Sequence, residues 1–183
     1  MLTDSELKDI SKKMKVPLVG VVFKDSLPSL GKLQYNKSYI INLENTIDED
    51  GNVNEGSHYT CFQVNKLKNG KVQALYFDSM GKTGVPPDII SYIGFEPPQQ
   101  TMNLQSIVAE TCGYWCLSWL YFINSFPERT NDMYEDTSLY LDLFNDLNKE
   151  CDYKHNEFVL KNFFRSIDPE LRQPIESEFK KIE

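Results

Sequence analysis

Gly113-Tyr114-Trp115-Cys116-Leu117-Ser118-Trp119-Leu120-Tyr121-Phe122-Ile123-Asn124-Ser125-Phe126 is apolar nearly all round when projected on a helix. A helix with no polar face belongs in the middle of a protein, not on its surface. Pro127 follows directly and ends it. The rest of the chain must therefore wrap this segment, and the question is with what.

Upstream, the residues read mainly as strands. Residues 58–64 and 72–78 are rich in β-branched and aromatic side chains and flank Lys68-Asn69-Gly70. Asn-Gly between two such runs is a strong hairpin signal. Residues 39–43 make a further short strand, and 16–23 an extended segment leading into a loop around Pro28 and Gly31. Residues 48–56 form an acidic, Asn/Gly-rich loop, and 102–108 read as another strand. Residues 88–93 read as a short helix.

Helices close both ends. Thr3 and Glu6 form a capping box, with Leu2 and Leu7 at the staple positions, so residues 2–14 start a helix. Residues 133–147 are amphipathic, with Leu139, Tyr140, Leu143, Phe144 and Leu147 on one side. Residues 157–167 carry Phe158, Phe163 and Phe164, and Asp168-Pro169 caps a last short helix. The order helix, strands, buried helix, helices predicts an α+β fold in one domain spanning residues 1–183.

Composition limits the function. Lys and Arg total 19 against 27 Asp and Glu, a net charge of −8. That balance argues against general electrostatic attachment to nucleic acid or anionic lipid. No apolar run reaches the length of a membrane helix. The cysteines Cys61, Cys112, Cys116 and Cys151 are too few and irregular for a disulfide scaffold. The opening Met1-Leu2-Thr3-Asp4-Ser5-Glu6 is acidic where a secretory leader would be basic and then apolar. The expectation is a protein that is not secreted, with reduced thiols available for chemistry.

Two positions attract that chemistry. Pairing about the Asn69-Gly70 turn brings His58 opposite residues 78–81, hence beside Asp78. A carboxylate beside an imidazole fixes its tautomer and stabilises the protonated form. Cys112 immediately precedes the buried helix, where the positive end of the helix dipole favours a thiolate. Gly113 next to it would let a substrate backbone approach. Gln105, seven residues earlier, can donate an N–H to a developing oxyanion.

The order His58, Asp78, Gln105, Cys112-Gly113 resembles the adenovirus-type maturation proteases (adenain), relatives of the proteases specific for SUMO and other ubiquitin-like proteins. The matching pieces are Gly56-Ser57-His58-Tyr59, Tyr76-Phe77-Asp78-Ser79-Met80-Gly81, Gln105-Ser106 and Cys112-Gly113-Tyr114-Trp115-Cys116. Ser5-Glu6-Leu7-Lys8-Asp9-Ile10 and the Gly20 segment also match the family's start. The resemblance covers residues 1–126, leaving 127–183 as a C-terminal helical region without a counterpart.

The resemblance implies a papain-like cysteine protease core, with the buried helix packed on a mixed or antiparallel sheet. It implies a cysteine endopeptidase that cleaves viral capsid or other virion precursor proteins, in the host cell interior and the virion. Polinton-type elements and virophages carry such enzymes. Cys112 would be nucleophile, His58 general base, Asp78 its orienter and Gln105 the oxyanion donor, joined by the Cys112 backbone N–H. Tyr59 stands where adenain has Trp and reads equally as a flat wall to the site or as plain packing; Asp78 stands where adenain has Glu, as in the SUMO-protease branch. The acidic chain gives no reason to carry over DNA as a cofactor, and no metal or other cofactor is implied. An activating peptide is a candidate partner, although no cysteine here can be assigned to bind it. A monomer is expected.

Rival readings use the same residues. The nearest is a protease that removes ubiquitin or a ubiquitin-like modifier. A second is an inactive, protease-derived binding module, and a third an acyltransferase with the same residues. The order Cys112, His155, Asn156 imitates papain, but His155 sits in a charged stretch with no strand pattern. Cys112/Cys116 and Cys151/His155 are i, i+4 pairs that could share a zinc ion, yet the usual spacing signature is missing. Cys61 and Cys116 read as core thiols.

Overall fold

The computed structural model describes residues 1–81, 84–125, 132–149 and 152–167. Helix α1 (Asp4–Lys13) is followed by β1 (Leu18–Phe23), a 3-10 segment (Lys24–Leu30), β2 (Lys37–Asn42), β3 (Tyr59–Lys66) and β4 (Val72–Phe77). Then come α2 (Pro87–Ile93), α3 (Cys112–Ser125), α4 (Met133–Leu141) and α5 (Tyr153–Ile167). The fold is α+β, with one mixed four-stranded sheet in the order β1-β2-β3-β4. β1 runs parallel to β2, and the other neighbours are antiparallel. None of the described helices is long and apolar enough to cross a membrane.

Side-chain alternation along the strands feeds two cores. Ile40, Tyr59, Cys61, Leu75 and Phe77 face one way, against α1, α3, α4 and α5. Tyr39, Ile41, Phe62, Val64, Ala74 and Tyr76 face the other way, against Leu27 of the 3-10 segment and Ile89 and Ile93 of α2. A sheet covered on both faces has no polar side, which is why these strands are nearly continuous apolar runs.

Helix α3 is the central element that its composition predicts. Residues 112–120 are all buried. Trp115 and Trp119 are among the largest fully buried side chains, and truncating such a residue costs about 3–5 kcal/mol. The ring of Trp119 stacks on Phe77 at the end of β4, with centroids 5.1 Å apart. Its indole N–H donates to Thr137 Oγ1 on α4 at 3.0 Å. One side chain thus fixes the helix against both the sheet and its neighbouring helix.

The capping box of α1 is present in both directions, Thr3 to Glu6 and back. The hairpin turn closes through Gly70 N–H to Leu67 O, with Gly70 at φ +83°. Four expectations are corrected. The loop at Pro28 is a 3-10 helix that buries Leu27. Residues 102–108 are not a strand: Leu104 and Gln105 donate their N–H groups to the single carbonyl of Ser79, and Ile107 and Val108 are exposed. Helix α4 stops at Leu141, and its buried stripe is Met133, Asp136, Thr137 and Tyr140. Leu139 and Leu143 are 44% and 43% exposed, because Thr137 and the hydroxyl of Tyr140 find partners on α3 and take the inner face. Helix α5 begins earlier than expected, at Tyr153; Pro127, Cys151 and the Asp168-Pro169 helix lie outside the described residues.

Candidate active site

The hairpin register sets the first half of the site. Cys61 pairs with Phe77, and three residues further along each strand are His58 and Met80. At that end the chain after β4 turns sharply, Gly81 N–H closing on Asp78 O at 2.9 Å. The turn brings the Asp78 carboxylate to His58, with Nε2 2.7 Å from Oδ1. The same oxygen accepts the Met80 N–H at 3.0 Å, and the Asp78 carbonyl accepts the side-chain N–H of Gln100. Asp78 is 1% exposed, so its charge is held by these donors rather than by water.

Gly81 is required in this turn. Its φ is +61°, and a β-carbon there would lie 2.6 Å from the Thr101 carbonyl and nearer still to that of Met102. The absence of a side chain lets the Asp78–Gly81 turn press against residues 101–102, which lead directly to Gln105.

Cys112 supplies the other half as the first residue of α3. Its thiol shares a cleft with the His58 imidazole. The backbone N–H of Tyr59 also points at its sulfur, at 3.4 Å. Nε2 of the imidazole is taken by Asp78. Burial disfavours its protonated form, but the hydrogen bond it donates to Asp78, the neighbouring Cys112 side chain and the charges of both outweigh burial. They raise the His58 pKa from 6.5 to about 10.

Gln105 is buried at the same cleft, and its amide is held at both ends. Oε1 accepts from Ser79 Oγ at 2.8 Å, and Nε2 donates to the Ala109 carbonyl. A carbonyl can only accept, so the nitrogen must be the atom facing residue 109. Asn156 of α5 supports this segment, its side-chain N–H donating to the Leu104 carbonyl at 3.0 Å.

A cleft of about 330 Å³ opens over the site, lined by His58, Met80, Gln105, Val108, Ala109 and Cys112 among others. The structure therefore brings together all four residues read as catalytic. It does not bring the Tyr59 ring to them. Tyr59 is 3% exposed, its hydroxyl donates to Asp4 of α1 at 2.6 Å, and only its backbone reaches Cys112. Of its two readings, plain packing is the one that holds. At Gly113 the close approach is made by Leu7 of α1, 2.9 Å from where a β-carbon would sit, and not by the cleft.

The other thiols differ from Cys112 in their surroundings. Cys61 and Cys116 are fully buried, and burial pushes both pKa values up. Cys116 turns inward to the Tyr59 carbonyl. His155 is exposed on α5, with Nε2 3.2 Å from the Leu143 carbonyl. Asn156 beside it is buried and structural.

Sequence reasoning missed Ser79, Gln100 and Asn156. Ser79 had a usable signal: Asp78-Ser79-Met80-Gly81 is a four-residue turn with Gly last, directly after a strand. Gln100 and Asn156 carried none, since each acts on a backbone carbonyl far away in sequence. No protein-family model matches the chain, and no curated protein matches it.

Proposed function

We propose that this protein is a cysteine endopeptidase with a papain-like core, similar to the adenovirus-type maturation proteases, that cleaves virion precursor proteins. The observation that supports it most is the His58 imidazole, 2.7 Å from Asp78, in one cleft with the thiol of Cys112 at the start of a buried helix. The choice of substrate rests on the ordered resemblance of His58, Asp78, Gln105 and Cys112 to that family.

The chemistry follows from the proton's position. An imidazole with a pKa of about 10 is charged at neutral pH and stands beside the sulfur as its counter-ion. The Cys112 thiolate attacks the peptide carbonyl. The Gln105 amide and the Cys112 backbone N–H hold the oxygen that becomes negative. His58 gives its proton to the departing amine and leaves a thioester. The now neutral imidazole draws a proton from water, which attacks the thioester and frees Cys112.

Mass spectrometry of a recombinant capsid precursor incubated with wild type and with Cys112→Ala tests the reading. Defined cuts made only by the wild type are expected, and the new termini give the cleavage motif. Cleavage of fluorogenic ubiquitin-like substrates, with the precursor left intact, would replace this reading by the deconjugating one.

A further inference from the structure

Resting on that reading, we infer that Ser79 is the positioning residue for oxyanion stabilisation: its hydroxyl and carbonyl together hold the Gln105 amide in its working orientation. Ser79 follows Asp78 directly and is fully buried. Its Oγ donates to Gln105 Oε1 at 2.8 Å. Its carbonyl accepts the backbone N–H groups of Leu104 at 2.7 Å and of Gln105 at 3.2 Å. One residue thus grips Gln105 by both its backbone and its side chain.

The orientation matters because a glutamine amide has two unlike ends. With Oε1 engaged by Ser79, the nitrogen is directed towards Ala109, in the cleft that Cys112 also lines. One of its hydrogens goes to the Ala109 carbonyl. The second is left to donate to an oxygen arriving above Cys112. Without the serine hydroxyl, Oε1 is a buried acceptor lacking its donor, and the amide can swing to seek another. The nitrogen would then no longer be pre-aimed, and pre-aiming is what makes such a donor effective in a dry site. Ser79 also joins the two halves of the chemistry through one peptide bond. The turn that carries the carboxylate for His58 sets the angle of the oxyanion donor.

Two reagents separate these halves. Acylation by p-nitrophenyl acetate passes through a tetrahedral oxyanion: Cys112 sulfur bonds to the acetyl carbon and p-nitrophenolate leaves. Alkylation by iodoacetamide displaces iodide at a saturated carbon and forms no oxyanion, so it reports only the thiolate and the intact site. Both rates are measured on the full chain, with the Cys112→Ala background subtracted. Ser79→Ala should slow acylation about five- to tenfold, the scale of one lost neutral hydrogen bond. Its alkylation rate should stay within about twofold of wild type, which also shows that the site is folded. In a Gln105→Ala background the same change should slow acylation no further.

Unchanged acylation in Ser79→Ala, equal slowing of both reactions, or losses that multiply with Gln105→Ala would each overturn the assignment. If wild type shows no acylation dependent on Cys112, the protease reading fails and this inference fails with it.

Discussion

His58 faces Asp78 through Nε2 at 2.7 Å, and the same imidazole lines one cleft with the thiol of Cys112. This places a protonated ring in a site where the histidine is 12% exposed. The consequence for stability has a definite sign. Below pH 6.5 the ring is charged in both folded and unfolded chains, and its favourable contacts are fully counted. Between 6.5 and about 10 only the folded chain keeps the proton, so that contribution is lost as pH rises. The melting temperature of wild type minus that of His58→Gln should be flat at low pH and fall towards pH 10. A difference that grows with pH would contradict the assignment.

Asp78→Asn removes the charge that holds the imidazolium and should cut ester acylation by about 10²–10⁴-fold, the usual scale for general acid–base catalysis. His155→Ala should change it by less than about twofold, because His155 is exposed and bonded only to a carbonyl of its neighbouring segment. A burst assay of p-nitrophenolate release compares the two. The reverse ranking would favour the papain order of residues.

Gly113→Ala sets two effects against each other. Alanine is the better helix former by about 1 kcal/mol. Its β-carbon, however, would meet Leu7 at 2.9 Å, and Leu7 is completely buried. Overpacking of this kind costs about 1–3 kcal/mol, so the net expectation is a lower melting temperature. Adding Leu7→Ala makes room, and urea denaturation of the double variant should show less than the sum of the single losses.

Asn156→Ala should destabilise the protein by about 1–3 kcal/mol, the cost of leaving buried groups without partners. Its amide serves the Leu104 carbonyl and both backbone groups of Asn145. Hydrogen exchange should also quicken at Leu104 and Gln105. Unaltered exchange there would separate α5 from the site.

Much of this was legible because short-range signals decided it. The capping box at Thr3, the Asn69-Gly70 turn and the uncharged run after Cys112 each specify local geometry from adjacent residues. The strand register then carries His58 to the end of β4, where the Asp78–Gly81 turn presents the carboxylate. What stayed hidden depends on tertiary partners. Tyr59 read equally as wall or packing because nothing local announces that Asp4 will take its hydroxyl. Residues 102–108 looked like a strand because their apolar content is right. Their conformation is decided instead by the Ser79 carbonyl. Leu139 and Leu143 looked like core because the partners of Thr137 and Tyr140 on α3 could not be foreseen.

The placement of Cys112 divides the molecule by tolerance to change. Cys112 lies in a run of ten consecutive buried residues, 111–120, where almost any replacement disturbs packing. Ile107 and Val108, at the lip of the same cleft, are 87% and 68% exposed. They can be exchanged with little effect on folding. On the proposed reading, the reacting thiol is pinned where packing tolerates least change, while the lip of its cleft can be exchanged without disturbing the fold. New preferences can arise there without the reaction being rebuilt.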